Sequence, residues 1–148
     1  MLEYKRTRFG TRLPEDILYT RSHYWLREHA PGLWRVGFTK FAIRMLGDLV
    51  EFQFEPLAET TVGARIGSIE GFKAVSDIYS VAAGRFLGPN PALAQDITLL
   101  ESDPYGQGWL YSVEGAPEPD AVDVHGYVSI LDATIDKMLA NRHQEKEQ

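Results

Sequence analysis

The chain has 148 residues and no cysteine; 44% of it is hydrophobic, 24% is charged, and its formal net charge is −6. That length suits one domain with its own core and is short for two. The missing thiols exclude disulfides, thiolate metal sites and a cysteine nucleophile. The acidic balance argues against nucleic acid as a main partner, because phosphate binding rests on clustered Lys and Arg. No stretch approaches the roughly 18 consecutive apolar residues of a membrane helix, and no apolar run follows the basic residues near Met1. The expectation is a cytoplasmic protein with neither a membrane span nor a secretory signal.

Residues 1–18 show no clear period and read as an N-terminal extension. Lys5, Arg6, Arg8 and Arg12 cluster there, as a solvated or partly mobile terminus or as a docking strip for an acidic partner. From Tyr19 the pattern sharpens. Trp25 and Leu26 precede a polar break at Arg27-Glu28-His29, and Pro31-Gly32 marks a turn. Leu33 to Phe38 alternates as a strand, with Trp34, Val36 and Phe38 set against Arg35 and Gly37. Thr39 suits the N-cap of a short helix near 39–46 that stops at Gly47. Leu49 to Phe54 is a second strand, ended by Pro56.

Short strands punctuated by glycine follow at Ala64–Glu70, Val75–Ser80 and Gly84–Leu87, the signature of a small sandwich or barrel. The run from Val62 to Gly67, leading to a turn at Gly71–Lys73, is echoed by Val81 to Gly88, leading to a turn at Pro89-Asn90-Pro91. Such an echo suggests two small sheets in a quasi-twofold arrangement. Asp103-Pro104-Tyr105-Gly106 is a turn, Trp109 to Val113 a strand, and Gly115 to Pro119 a loop. Beyond Asp123, a plausible N-cap, Tyr127, Ile130, Leu131, Thr134, Ile135 and Met138 keep helical spacing. The spacing predicts a helix near 124–140 packed on the sandwich, then a polar, fraying tail over 141–148.

The chemistry concentrates in one hairpin. A strand runs through Glu70 into Gly71-Phe72-Lys73-Ala74 and returns through Val75 to Asp77. A lysine at a hairpin apex projects its amine into solvent where a modifying enzyme can reach it. Glu70, three residues before, and Asp77, four after, would form an acidic collar that orients the amine. A hairpin lysine is common, and these residues alone leave its role open.

A resemblance narrows it. Tyr19-Thr20 with Ser22-His23 and Trp25-Leu26, Val36-Gly37-Phe38-Thr39, Leu46-Gly47-Asp48, Lys73-Ala74-Val75-Ser76-Asp77, and Asp103-Pro104-Tyr105-Gly106 with Gly108-Trp109-Leu110 occur in order. At matching separations they resemble the H protein of the glycine cleavage system, over about two thirds of the chain, Tyr19 to Val113. The resemblance implies one mainly β lipoyl-carrier domain over 1–148. Its core at 19–113 would be a lipoyl-domain-like barrel-sandwich hybrid, with a C-terminal helix. It aligns Lys73 with the lysine that carries covalent lipoate. It implies a carrier that is not itself an enzyme, loaded by a lipoate–protein ligase or lipoyl transferase. Acylation would remove the charge of Lys73 and hang a dithiolane on a long tether. Tethering raises the local concentration of that reactive ring at each partner's active site, and the ring opens and closes by thiol–disulfide exchange.

The chain departs from its family where the loaded arm is expected to rest. Ser22, His23, Tyr24 and Met45 are the candidate arm-cleft residues, with Ser22 and Asp77 matching the family. Tyr24 stands where ordinary H proteins have an acid, and Met45 where some have a histidine. The residues before the Lys-Ala pair are Glu70-Gly71-Phe72 where the family has Glu-Ser-Val. A cleft without that acid suits a cationic cargo less well. The favoured expectation is therefore a paralogue resembling the lipoate-binding protein of bacterial sulfur oxidation, partnered with a heterodisulfide-reductase-like complex. The alternative is an aminomethyl carrier exchanging with a glycine decarboxylase, an aminomethyltransferase and a dihydrolipoyl dehydrogenase. A non-lipoylated binding module is the third reading.

Other constellations carry less. His23, His29, His125 and His143 lack the spacing of a zinc site, so no metal is expected. Ser76 and Ser80 have no nucleophile elbow around them, and Gly84 and Gly88 do not form a phosphate loop. His23 is expected to orient the loop beside Trp25 or to line the cleft, and Tyr105 and Trp109 to pack in the core or a turn.

Overall fold

The computed structural model describes residues 1–147, with side chains to 144. In chain order the elements are β1 (Leu2–Arg6), β2 (Phe9–Leu13), β3 (Leu18–Tyr19), β4 (Tyr24–Ala30), β5 (Leu33–Phe38), α1 (Lys40–Leu46), β6 (Leu49–Phe54) and β7 (Glu59–Thr60). There follow β8 (Arg65–Gly71), β9 (Val75–Tyr79), β10 (Ala82–Pro89), a 3-10 turn at Pro91–Ala94, α2 (Leu99–Ser102), β11 (Tyr111–Pro117) and α3 (Val124–Glu147). A six-stranded sheet in the order β3-β4-β5-β11-β10-β7 faces a three-stranded sheet in the order β6-β8-β9, and β1 pairs with β2 apart from both. The sheets are small and none closes into a barrel. The two echoed segments fall in different sheets, β8 in the smaller and β10 in the larger.

Alternation along the strands explains the layering. Leu26, Val36 and Val113 from the larger sheet and Ile66, Ile69 and Ile78 from the smaller meet in one apolar core. β4 is buried on both faces at its start, because Tyr24 and Leu26 enter that core while Trp25 turns the other way into a second one. The second core joins Tyr4, Phe9, Leu13 and Ile17 to Phe41 of α1 and to Tyr127, Leu131 and Ile135 of α3. The expected N-cap residues hold: Thr39 Oγ1 accepts from the Ala42 N–H, and Asp123 Oδ1 from the Gly126 N–H at 2.9 Å.

Four expectations change. Residues 1–18 are not a mobile extension, because the β1–β2 hairpin directs Tyr4, Phe9 and Leu13 inward and buries them. Of the basic strip only Arg6 is tied down, by ion pairs with Asp132 at 3.2 Å and Asp136 at 2.9 Å on α3, while Lys5, Arg8 and Arg12 are exposed and enter none of the ion pairs among the described residues. Arg27-Glu28-His29 is no break but the exposed end of β4, and Gly115 to Pro117 continue β11 against β10. The polar segment after Ala140 continues α3 to Glu147, since Arg, Gln, Glu and Lys are good helix formers even without an apolar stripe; position 148 lies outside the described residues. Among the described residues no helix is long and apolar enough to cross a membrane.

Candidate functional site

Lys73 lies at the exposed apex between β8 and β9. The apex is pinned by three backbone hydrogen bonds. Gly71 N–H donates to Ala74 O and closes the turn; Phe72 N–H donates to Asp48 O, and Lys73 N–H to Leu46 O, each at 2.9 Å. The last two tie the tip to the corner where α1 passes into β6. Two glycines permit the approach. A Cβ on Gly71 would stand 2.1 Å from Leu46 O, and one on Gly47 would stand 2.8 Å from Lys73 Cγ in a backbone with φ +74°. Leu46-Gly47-Asp48 and the lysine turn are thus two halves of one joint.

The lysine's side chain borders a surface cavity of about 360 Å³, with Phe9, Ile43, Arg44, Gly47 and Glu101 among its walls. It makes none of the ion pairs formed among the described residues, which involve the N-terminus, Arg6 and Arg65. The side chain is exposed, so the amine is presented to solvent on a base held by backbone hydrogen bonds.

The predicted acidic collar forms only in part. Glu70 is half-buried near the tip, cross-strand from Val75 on one side and Glu51 on the other. Asp77 faces elsewhere. Its carboxylate accepts from Arg65 Nε at 2.8 Å and from the Tyr79 hydroxyl at 3.2 Å, and Arg65 also pairs with Glu55 at 3.0 Å. The Arg65 hydrogen bond holds the Asp77 carboxyl below the usual carboxylate range. Arg65, not Lys73, takes its charge. Ala74 is exposed, and Phe72 is 82% exposed.

The four cleft candidates do not converge. Ser22 is exposed and hydrogen-bonded to Thr20 Oγ1 at 2.9 Å. His23, at φ +69°, packs its ring on Phe41, and burial pushes its pKa down to about 4. The Tyr127 hydroxyl donates to Thr39 Oγ1 at 2.7 Å, so the 2.9 Å contact between His23 Nδ1 and that hydroxyl has the imidazole donating. This relay ties the start of β4 to the cap of α1 and to α3. Tyr24 is a core residue stacked on Phe38, its hydroxyl accepting the Tyr79 N–H at 3.0 Å. Met45 lines a different cavity of about 520 Å³, among Phe9, Phe41, Ile135 and Met138. The sequence gives no sign of this cavity, because its walls come from β2, α1 and the end of α3.

The remaining motif residues are braces. Trp25 Nε1 donates to Pro104 O at 2.9 Å, and the Tyr105 hydroxyl accepts the Lys40 N–H at 3.1 Å, so the Asp103–Gly106 turn locks β4 to the start of α1. Trp109 stacks under the Arg35 guanidinium, 4.7 Å from the ring centre.

Residues 17–128 match the family model described as glycine cleavage H-protein. The chain belongs to the glycine cleavage H-protein family. The H protein of Cronobacter sakazakii is 36% identical over 125 residues, covering 81% of this chain and 96% of that one. That of Mycobacteroides abscessus is 35% identical over 130 residues, covering 82% and 99%. The crystal structure of a glycine cleavage system H protein from Mycobacterium marinum superposes with a TM-score of 0.71 at 33% identity, covering 79% of this chain and 97% of that one. As an H protein, the chain is a non-catalytic carrier that holds lipoate covalently on a lysine. The β1–β2 hairpin and the far end of α3 lie outside the matched segment of this H protein.

Proposed function

We propose that this H protein carries its lipoyl group on Lys73 and serves the glycine cleavage system as the aminomethyl carrier. The arm would move between a glycine decarboxylase, an aminomethyltransferase and a dihydrolipoyl dehydrogenase, after loading by a lipoyl ligase or transferase. The observation that carries the reading is the exposed Lys73 amine on a pinned turn, within a chain whose relatives are named as glycine cleavage H proteins. The rigid base fixes the arm's pivot and the flexible stem supplies its reach, the arrangement that concentrates a tethered ring at several active sites in turn.

The sulfur-carrying reading rested on Tyr24 and Met45 making the cleft less suited to a cation and on the departure at Glu70-Gly71-Phe72, and the comparisons lend it no support. Tyr24 points into the core, where its hydroxyl serves a backbone amide. Its exchange for an acid therefore reads as a change in core packing and not as a change of cargo. No partner of the heterodisulfide-reductase kind is needed to account for it.

Intact mass tests attachment: the lipoylated chain should carry one discrete adduct that Lys73→Ala abolishes. Incubating the lipoylated protein with glycine and its decarboxylase then tests the cargo. Aminomethyl loading is the expected result; a lipoylated protein that stays unloaded would refute the glycine-cleavage role.

A further inference from the structure

Phe72 and Val75 are 82% and 72% exposed, the most exposed large hydrophobic side chains among the described residues. Single exposed apolar residues are ordinary. These two stand immediately before Lys73 and two residues after it, on a tip whose backbone is held at Gly71, Phe72 and Lys73. The phenyl ring is thus carried outward by a fixed base. Val50, 49% exposed, sits at the same end of the sheet, between the Asp48 carbonyl that accepts from Phe72 and the Glu51–Glu70 cross-strand pair.

That pair is a second observation. Glu51 and Glu70 lie directly opposite each other in the β6–β8 register, and neither enters an ion pair among the described residues. Like charges so placed destabilise a sheet, and a cationic partner surface relieves them. The lysine is framed by apolar tips with a belt of carboxylates behind.

Distance along the arm decides which partner needs this frame. Lys73 Nζ is five bonds from its Cα, roughly 6 Å when extended, whereas the dithiolane sulfurs lie about twice as far out or more. Enzymes acting on the sulfurs can work clear of the hairpin. The enzyme that forms the amide at Nζ cannot, and must cover the neighbouring side chains. We propose, on the reading of Lys73 as the attachment site, that Phe72 and Val75 are the specificity surface for the lipoyl-attaching enzyme. Its amine entrance would be apolar at the rim and basic beyond it. In the step served, the neutral Nζ attacks the carbonyl carbon of a lipoyl-adenylate. The amide C–N bond forms, the mixed-anhydride C–O bond breaks with adenylate leaving on its electron pair, and the nitrogen's proton passes to solvent.

The test uses the full apo chain with a lipoate–protein ligase, lipoate, ATP and magnesium, and follows the adduct by intact mass. Phe72→Ala should lower kcat/KM for loading about tenfold, mainly through KM, equivalent to about 1.4 kcal/mol. Phe72→Leu should recover most of that loss, and Phe72→Ala should keep the parent unfolding midpoint. After exhaustive loading, reduction of the Phe72→Ala arm by dihydrolipoyl dehydrogenase and NADH should match the parent within twofold. Loading at the parent rate would overturn the proposal, as would equal losses in loading and in reduction, which would mark a general docking residue. If the parent takes no adduct, or Lys73→Ala keeps it, the attachment reading falls and this inference with it.

Discussion

Gly71→Ala tests whether the lysine turn depends on its joint with the α1–β6 corner. A methyl at this position would stand 2.1 Å from Leu46 O, closer than real Cβ contacts come, and the obstacle is backbone. One side must give way. The helix end is buried through Leu46, so the exposed tip should move, breaking Lys73 N–H to Leu46 O and Phe72 N–H to Asp48 O. At about 1 kcal/mol net per bond, the loss is on the order of 2 kcal/mol, or a fall in Tm of roughly 4–8 °C for a chain this size. Amide exchange locates the damage. Residues 72 and 73 should lose protection in the variant while β4 and β5 keep theirs. An unchanged Tm together with intact protection at both amides would refute the claim that glycine is needed for this approach.

Two further outcomes follow from the second core. The His23 imidazole is held near pKa 4 by burial, against about 6.5 unfolded. Between those values the unfolded chain takes up a proton that the folded one refuses, so stability should fall as pH drops from 6.5 towards 4, by at most about 3 kcal/mol, and this group should add nothing further below that. Denaturant titrations at stepped pH should show this slope in the parent and its loss in His23→Gln; parallel curves would remove His23 as the cause. Leu13, fully buried in the β1–β2 hairpin, should cost about 2–5 kcal/mol on truncation to Ala. Urea unfolding measures that directly, and a change under about 0.5 kcal/mol, within the range of ordinary surface substitutions, would mean the hairpin is not structurally integrated.

Legibility followed the kind of signal each element carries. β5, α1 and β6 are bounded by local chemistry: alternation over 33–38, the Thr39 cap and the Gly47 stop. All three could be placed from sequence. The lysine turn was legible for the same reason, with Gly71 as punctuation between two short strand patterns. The N-terminal hairpin was not, because Thr7-Arg8 is a poor turn signal; Thr7 sits at φ 55°, where glycine or asparagine is usual. The inward alternation of Tyr4, Phe9 and Leu13 becomes visible only once the turn is known. Tyr24 misled for a different reason. A residue in a motif associated with a cleft was read as facing it, while the strand start is buried on both faces and no single-face pattern separates core from cleft.

On the proposed attachment at Lys73, the rigidity of the tip and the mobility of the arm are two parts of one device. A tethered group's effective concentration depends on the volume it samples, and that volume grows with every degree of freedom at the anchor. Here the anchor contributes almost none: Gly71, Phe72 and Lys73 are each held by a backbone hydrogen bond. The added hairpin restricts the base further, since Phe9 and Gly10 join Gly47 and Asp48 in the wall of the cavity that Lys73 borders. Those two residues lie outside the family-matched segment, so one wall beside the lysine is built from residues that the family model does not cover.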